Sequence, residues 1–163
     1  MNYSLVIIDM QPSFIAAKQS SLRKPILREI ALAKKHNRQI IVVHFARYGR
    51  TINYILKELK GYKNKSFVRK NDVDGSDKTN RVLKNNNVRI CGIEASECVF
   101  ETASGLSKMG FNVSLVKDAC GDCIEKNVRQ TKGNDFTLDT FTEAINRGLS
   151  VIYPNRHHQV RYY

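Results

Sequence analysis

The 163-residue chain has no tryptophan, three prolines, nine glycines and no run of 18 apolar residues. The lack of a long apolar run excludes a predicted transmembrane helix, and no membrane association is expected. Glycine and proline are too sparse for a collagen-like chain. No internal repeat, linker or low-complexity tract stands out, which excludes a solenoid and offers no boundary for a second domain. Met1 to Asp9 shows no basic region followed by a signal-length apolar run, so a cytoplasmic location is expected. Helix-turn-helix, zinc-finger, phosphate-loop and RNA-binding aromatic signatures are missing as well, so nucleic acid is not the expected partner. Acidic side chains are scarce, 15 against 27 basic ones, for a net charge of +12.

What is present is a globular composition, 42% apolar and 26% charged. One domain is expected over residues 1–153, with a basic C-terminal tail over 154–163. The charge is unevenly placed: residues 1–90 hold 19 basic and 6 acidic side chains, whereas residues 91–163 hold 8 and 9. A positive excess confined to one half suits either a solvated surface or a face that attracts anions.

The four cysteines argue for free thiols rather than a disulfide framework. Cys91 sits in an apolar run and reads as core. Cys120 and Cys123 form a single CxxC, half of a zinc site at most, and neither His157 nor His158 stands at a convincing spacing from it. No metal or cofactor is expected.

Short apolar runs alternate with helical patterns. Leu5–Ile8, Ile40–Phe45, Val88–Ile93, Val113–Val116 and Leu149–Tyr153 have almost no polar alternation, as in strands covered on both faces. Between them, Leu22, Ile26, Leu27, Ile30 and Ala33 share a helical stripe, with Pro25 expected in the first turn. A short helix is expected over Asp77–Asn85 with Ser76 as its cap. Another follows Val99, Ala103 and Leu106 to Gly110, and a last one follows Leu138, Phe141, Ala144 and Ile145 to Gly148. The basic segment Ala46–Arg69 suggests only a helix near Ile52–Leu59. The series predicts an α/β fold built on one parallel sheet.

In such sheets ligands bind beyond the carboxyl ends of the strands. That rule selects Asp9, His44, Arg47, Gly92 to Cys98, and Asp118. Within Ile90-Cys91-Gly92-Ile93-Glu94-Ala95-Ser96-Glu97-Cys98-Val99 a strand turns into a helix near Cys98, where unpaired backbone N–H groups can stabilise a thiolate or an oxyanion. A nearby lysine would favour the thiolate, and a nearby carboxylate can accept its proton. A buried structural thiol and a nucleophile both fit this pattern.

Three motifs in order resemble the isochorismatase-like cysteine hydrolases. They are Leu5-Val6-Ile7-Ile8-Asp9-Met10-Gln11-Pro12-Ser13-Phe14, then Ser66-Phe67-Val68-Arg69-Lys70, then Cys91-Gly92-Ile93-Glu94-Ala95-Ser96-Glu97-Cys98 and its continuation to Ala103. The resemblance implies a three-layer Rossmann-like sandwich with a mostly parallel central sheet. It also implies a catalytic triad of Asp9, Lys70 and Cys98, and a non-proline cis peptide near Ile93–Glu94. The oxyanion hole would be formed by the main chain of Glu94 and Cys98. Phe14, His44, Arg47 and Tyr48 are the candidate substrate contacts, with Asn71 and Asp122 further out, and Arg47 could hold a substrate carboxylate.

The implied activity is cleavage of a C–N bond in a small amide or ureido compound, anionic if Arg47 lines the mouth, through a covalent acyl-enzyme. The alternatives are an isochorismatase-type vinyl-ether hydrolase and a catalytically silent protein that binds a partner through its basic half. A homodimer or homotetramer is implied too. Metal-dependent nicotinamidases of the family carry an acid and two histidines after the second strand. Ala46–Arg69 has no such series, so a metal-independent enzyme is expected. The chain reads as short for the family.

Overall fold

The structure is a computed structural model that describes residues 2–122 and 135–154. Six strands form one sheet: β1 Ser4–Ile8, β2 Ile40–Phe45, β3 Lys65–Lys70, β4 Asn87–Ile93, β5 Asn112–Gly121 and β6 Ser150–Ile152. The helices are α1 Ser20–Lys35, α2 Asn53–Glu58, α3 Ser76–Asn80, α4 Phe100–Lys108 and α5 Asp135–Asn146. Every strand pairing is parallel, in the order β3-β2-β1-β4-β5-β6. The chain winds outward from β1 through β2 to β3, returns to the middle for β4, and winds out the other way. The gap between the ends of β1 and β4 is therefore the switch point where open parallel sheets bind ligands.

The apolar runs form the centre. All of Ser4–Ile8 is buried, as are Ile40–Val43 and Ile90–Ile93. Helices cover both faces: α1 packs on β1, β5 and α2, while α3 packs on α4, and α4 on α5. Gly92 is where the two central strands meet most closely. Its φ is +123°, and a Cβ there would lie 2.1 Å from the Ile8 carbonyl oxygen. Only glycine satisfies both conditions.

Several expectations needed correction. β3 was not anticipated, because an edge strand with the sequence Lys-Ser-Phe-Val-Arg-Lys carries too few apolar residues to look like the covered strands. Pro25 lies inside α1, beyond its first turn. Ser76 begins α3 instead of capping it; its backbone N–H donates to Asp74 Oδ1 at 2.7 Å. β5 runs on past Val116, with a register shift against β4 between Ile90 and Gly92. That extension places Asp118 within the strand. There it accepts two hydrogen bonds from Arg28, at 2.7 and 2.8 Å, and does not face the switch point. No helix among the described residues is long and apolar enough to cross a membrane. Cys123, His157, His158 and nearly all of the expected basic tail lie outside the described residues.

Candidate active site

Three elements bring the site together. β1 ends at Asp9, a non-glycine residue with φ +51°, whose N–H donates to Val43 O at 2.9 Å. Aspartate tolerates this left-handed conformation better than most residues. β3 ends at Lys70. After β4 the Ile93–Glu94 peptide is cis, and the chain enters a wide helical turn, Ala95–Val99, in which Val99 N–H reaches back five residues to Glu94 O. Such turns often mark functional sites. Asp122 Oδ1 holds the start of the turn by accepting from the N–H and Oγ of Ser96, each at 2.9 Å. Cys98 is the fourth residue of the turn.

Lys70 and Asp9 are almost wholly buried, and Lys70 Nζ lies 2.8 Å from Asp9 Oδ2. Nζ also donates to Val73 O at 2.9 Å and sits 4.7 Å from the Phe45 ring centroid. Cys98 lies against both charged groups. Burial pushes the Asp9 carboxyl above the ordinary carboxylate range, and the Lys70 charge opposes that rise. The Cys98 thiol is pushed up to about 11, first by burial and then by the Asp9 charge, which together outweigh Lys70. The resting group is thus a thiol. Lys70 favours the thiolate, as the sequence led one to expect, but burial and the Asp9 charge together outweigh it.

These groups open into a cavity of about 240 Å³. Asp9 and Cys98 line it, together with Phe14, Tyr48, Glu94 and Glu97. Phe14 and Tyr48 form an aromatic wall with Phe45, with ring centroids 4.8 Å apart for Phe14–Tyr48 and 5.4 Å for Phe45–Tyr48. Gln11 fixes that wall: its Nε2 donates to Phe45 O and Gly49 O at 3.0 and 2.6 Å, and its Oε1 accepts from Phe45 N–H at 2.8 Å. Sequence reasoning passed over Gln11, Phe45 and Val73 as parts of the site, and took in Glu97 only as a member of the segment Gly92 to Cys98. Gln11 was legible as a polar residue inside the first motif; Val73 carried no signal.

Two candidate contacts fall elsewhere. Arg47 is exposed on the short helical turn Ala46–Tyr48 and does not line the cavity, whereas its neighbour Tyr48 does. His44 does not line it either, and its Nδ1 is buried without a hydrogen-bond partner. Burial and the nearby Arg69 hold its pKa down. Asn71 is exposed beyond Lys70. Among the described residues no group of three His, Cys, Asp or Glu side chains is placed to hold a metal ion. The two cysteines on strands, Cys91 of β4 and Cys120 of β5, are buried in the core, and burial raises both thiols.

A protein-family model, the Isochorismatase domain, matches residues 3–138. The chain belongs to the Isochorismatase family. Among solved structures, a nicotinamidase from Staphylococcus aureus is similar over 93% of this chain and 99% of its own, at 20% identity and TM-score 0.73. An N-carbamoylsarcosine amidase from Thermoplasma acidophilum covers 96% of this chain and 98% of its own, at 19% identity and TM-score 0.69. A cysteine hydrolase from Pseudomonas syringae covers 92% and 87%, at 15% identity and TM-score 0.76. No curated protein matches the chain. The near-complete coverage of the first two structures shows that the chain is not short beside these members.

Proposed function

We propose that the protein is a metal-independent cysteine hydrolase that cleaves the C–N bond of a small amide or ureido compound. The observation that carries this reading is the buried Lys70–Asp9 pair at 2.8 Å with Cys98 against both groups on the wall of a cavity. A buried ion pair is weak evidence for stability, but a pair that faces a cavity beside a thiol has a chemical use. The names of the similar structures, a nicotinamidase, an N-carbamoylsarcosine amidase and a cysteine hydrolase, support the same substrate class.

In this mechanism Asp9 accepts the Cys98 proton as Sγ attacks the substrate carbonyl carbon. The new C–S bond gives a tetrahedral oxyanion, received by the main-chain N–H groups of Glu94 and Cys98. Asp9 then passes the proton to the leaving nitrogen as the C–N bond breaks, which leaves an acyl-enzyme. Water attacks that carbonyl with Asp9 as base, the acid product departs, and the proton returns to Cys98. Lys70 orients Asp9 and offsets the charge that develops on sulfur. The raised thiol makes Asp9 indispensable, since little thiolate exists before the base acts.

The cavity also narrows the substrate. Its ionisable lining groups are Asp9, Cys98, Glu94 and Glu97, with no basic side chain among them. A neutral or cationic amide fits that lining better than the carboxylated one expected from Arg47. Phe14, Phe45 and Tyr48 add an apolar wall for its body.

The test is a panel of amides and ureides read by ammonia release, with wild type beside Cys98→Ala. The expected result is turnover of at least one compound, reduced by about 1,000-fold or more in Cys98→Ala. Intact-mass measurement on stopped reactions should show an adduct on Cys98. Turnover that survives in Cys98→Ala would overturn the covalent mechanism.

A further inference from the structure

We infer that a second cavity, between α2 and the edge strand β3, binds an acidic peptide segment of another protein by strand addition. This inference does not depend on the hydrolase reading.

The groove is shallow and open, about 400 Å³ in volume, and is lined by Leu56, Phe67, Arg50, Lys57, Lys60 and Lys65 among others, with no acidic residue. Phe67 is 47% exposed and supplies apolar surface to the groove. The one acid of α2, Glu58, is turned away to Lys34, with Nζ 3.5 Å from its Oε2. The lining therefore combines an apolar floor with a rim of one sign. It belongs to the half of the chain in which basic residues outnumber acidic ones 19 to 6, an excess that catalysis by Lys70 does not use.

The strand beside the groove decides the kind of partner. β3 pairs with β2 on one side only, and among the described residues Lys65–Lys70 makes no backbone hydrogen bond on the other. An open edge of this kind offers alternating N–H and C=O groups. They match the backbone of an extended peptide and have no counterpart in a sugar–phosphate chain. Alternate side chains of an added strand point to one face, so apolar residues at every second position can reach Phe67 and Leu56. Acidic residues along the same segment meet Arg50, Lys57 and Lys60. A second copy of this chain, pairing edge to edge by twofold symmetry, would instead bring like charges together.

The experiment is fluorescence anisotropy with a labelled peptide of alternating glutamate and valine. The comparison ligands are the lysine–valine peptide, the acidic peptide N-methylated at alternate amides, and oligouridylate. Saturable binding of the acidic peptide is expected, with little binding of the others. The affinity should fall by about tenfold in the double variant K57E/K60E and weaken further as salt is raised. Phe67→Ser, at an exposed position, should weaken binding without the charge change, and hydrolysis should persist in both variants. Equal binding of the lysine peptide, or full affinity in K57E/K60E, would overturn the site. Equal binding of the N-methylated peptide would overturn strand addition, and preferential binding of oligouridylate would assign the groove to nucleic acid instead.

Discussion

Two of the cavities among the described residues lie at the same sheet with opposite linings. One, at the switch point between β1 and β4, holds Asp9, Glu94, Glu97 and Cys98. The other, beside the edge strand β3, holds Arg50, Lys57, Lys60 and Lys65. Lys70 reaches the first only through its pairing with Asp9, whereas Lys65 lines the second, at opposite ends of one six-residue strand. At the switch point a charge is buried, paired within the chain and held by neighbours on several elements. At the edge Arg50, Lys57 and Lys60 are exposed to solvent, while Lys65 Nζ donates to Tyr62 O. Composition alone does not separate these roles, since both lysines fall in the same basic half.

The glycines test this contrast most severely. Gly92 and Gly61 both have positive φ, at +123° and +76°, but a Cβ at Gly61 meets nothing within 4 Å, whereas one at Gly92 overlaps the Ile8 backbone. Gly92→Ala combines backbone strain with an overlap that no side-chain rotation relieves. Chemical denaturation should show a loss of about 5 kcal/mol or more, if the variant folds at all. Gly61→Ala should cost about 1 kcal/mol. Similar losses at the two sites would mean that the β1–β4 contact can open to admit a methyl group.

The lysines come next. Lys70→Ala leaves Asp9 buried without its cation and should destabilise by about 3–5 kcal/mol. Lys57→Ala removes an exposed charge and should stay within about 0.5 kcal/mol. Denaturant midpoints on the two variants measure the difference, and a tolerant Lys70→Ala would show that the pair is wetter than its burial suggests.

The same contrast explains what the sequence disclosed. The central strands were legible because burial on both faces demands unbroken apolar runs such as Ile40–Val43. The edge strand β3 was not, because its sequence Lys-Ser-Phe-Val-Arg-Lys lacks such a run, whereas β6 at the other edge keeps the apolar run Leu149–Tyr153. Cys98 and Asp9 stood out by position at strand ends, and Lys70 only through the motif around it. Arg47 and Asp118 were selected by the same positional rule and do not line the cavity. Which way a side chain turns after a strand depends on partners distant in sequence, such as Arg28 for Asp118. The raised thiol was illegible for a related reason, since it depends on burial and on Asp9, 89 positions away.

That thiol gives a pH signature. With the Cys98 pKa at about 11, its reaction with a neutral alkylating agent should climb about tenfold per pH unit from pH 8 to pH 10 and flatten near 11. Cys91 and Cys120 should remain slower throughout, being buried with thiols raised by that burial. Peptide mapping after timed alkylation measures the profile. The K57E/K60E variant should reproduce it, because the groove lysines are separate from the lining around Cys98. A plateau near neutral pH would show that Lys70 prevails over burial and Asp9.

The smallest expected effect separates the two cavities by the range of their fields. The positive excess of the first half acts at long range and draws anions toward the whole surface, an attraction that salt screens. Glu97 acts at short range, at the wall of the cavity where a substrate must sit. For a neutral amide and a carboxylated one of equal size, kcat/KM should therefore favour the neutral compound. Raising salt should widen the preference as the long-range attraction fades. Glu97→Gln should narrow it by about threefold, the scale of one partly exposed charge. K57E/K60E should act in the opposite direction, mainly at low salt, by reducing the attraction of the carboxylated compound. The six conditions, wild type and the two variants at two salt levels, distinguish a local preference from a global one. A carboxylated substrate favoured at high salt in wild type would place a cation in the cavity and overturn an acidic lining as the source of the preference.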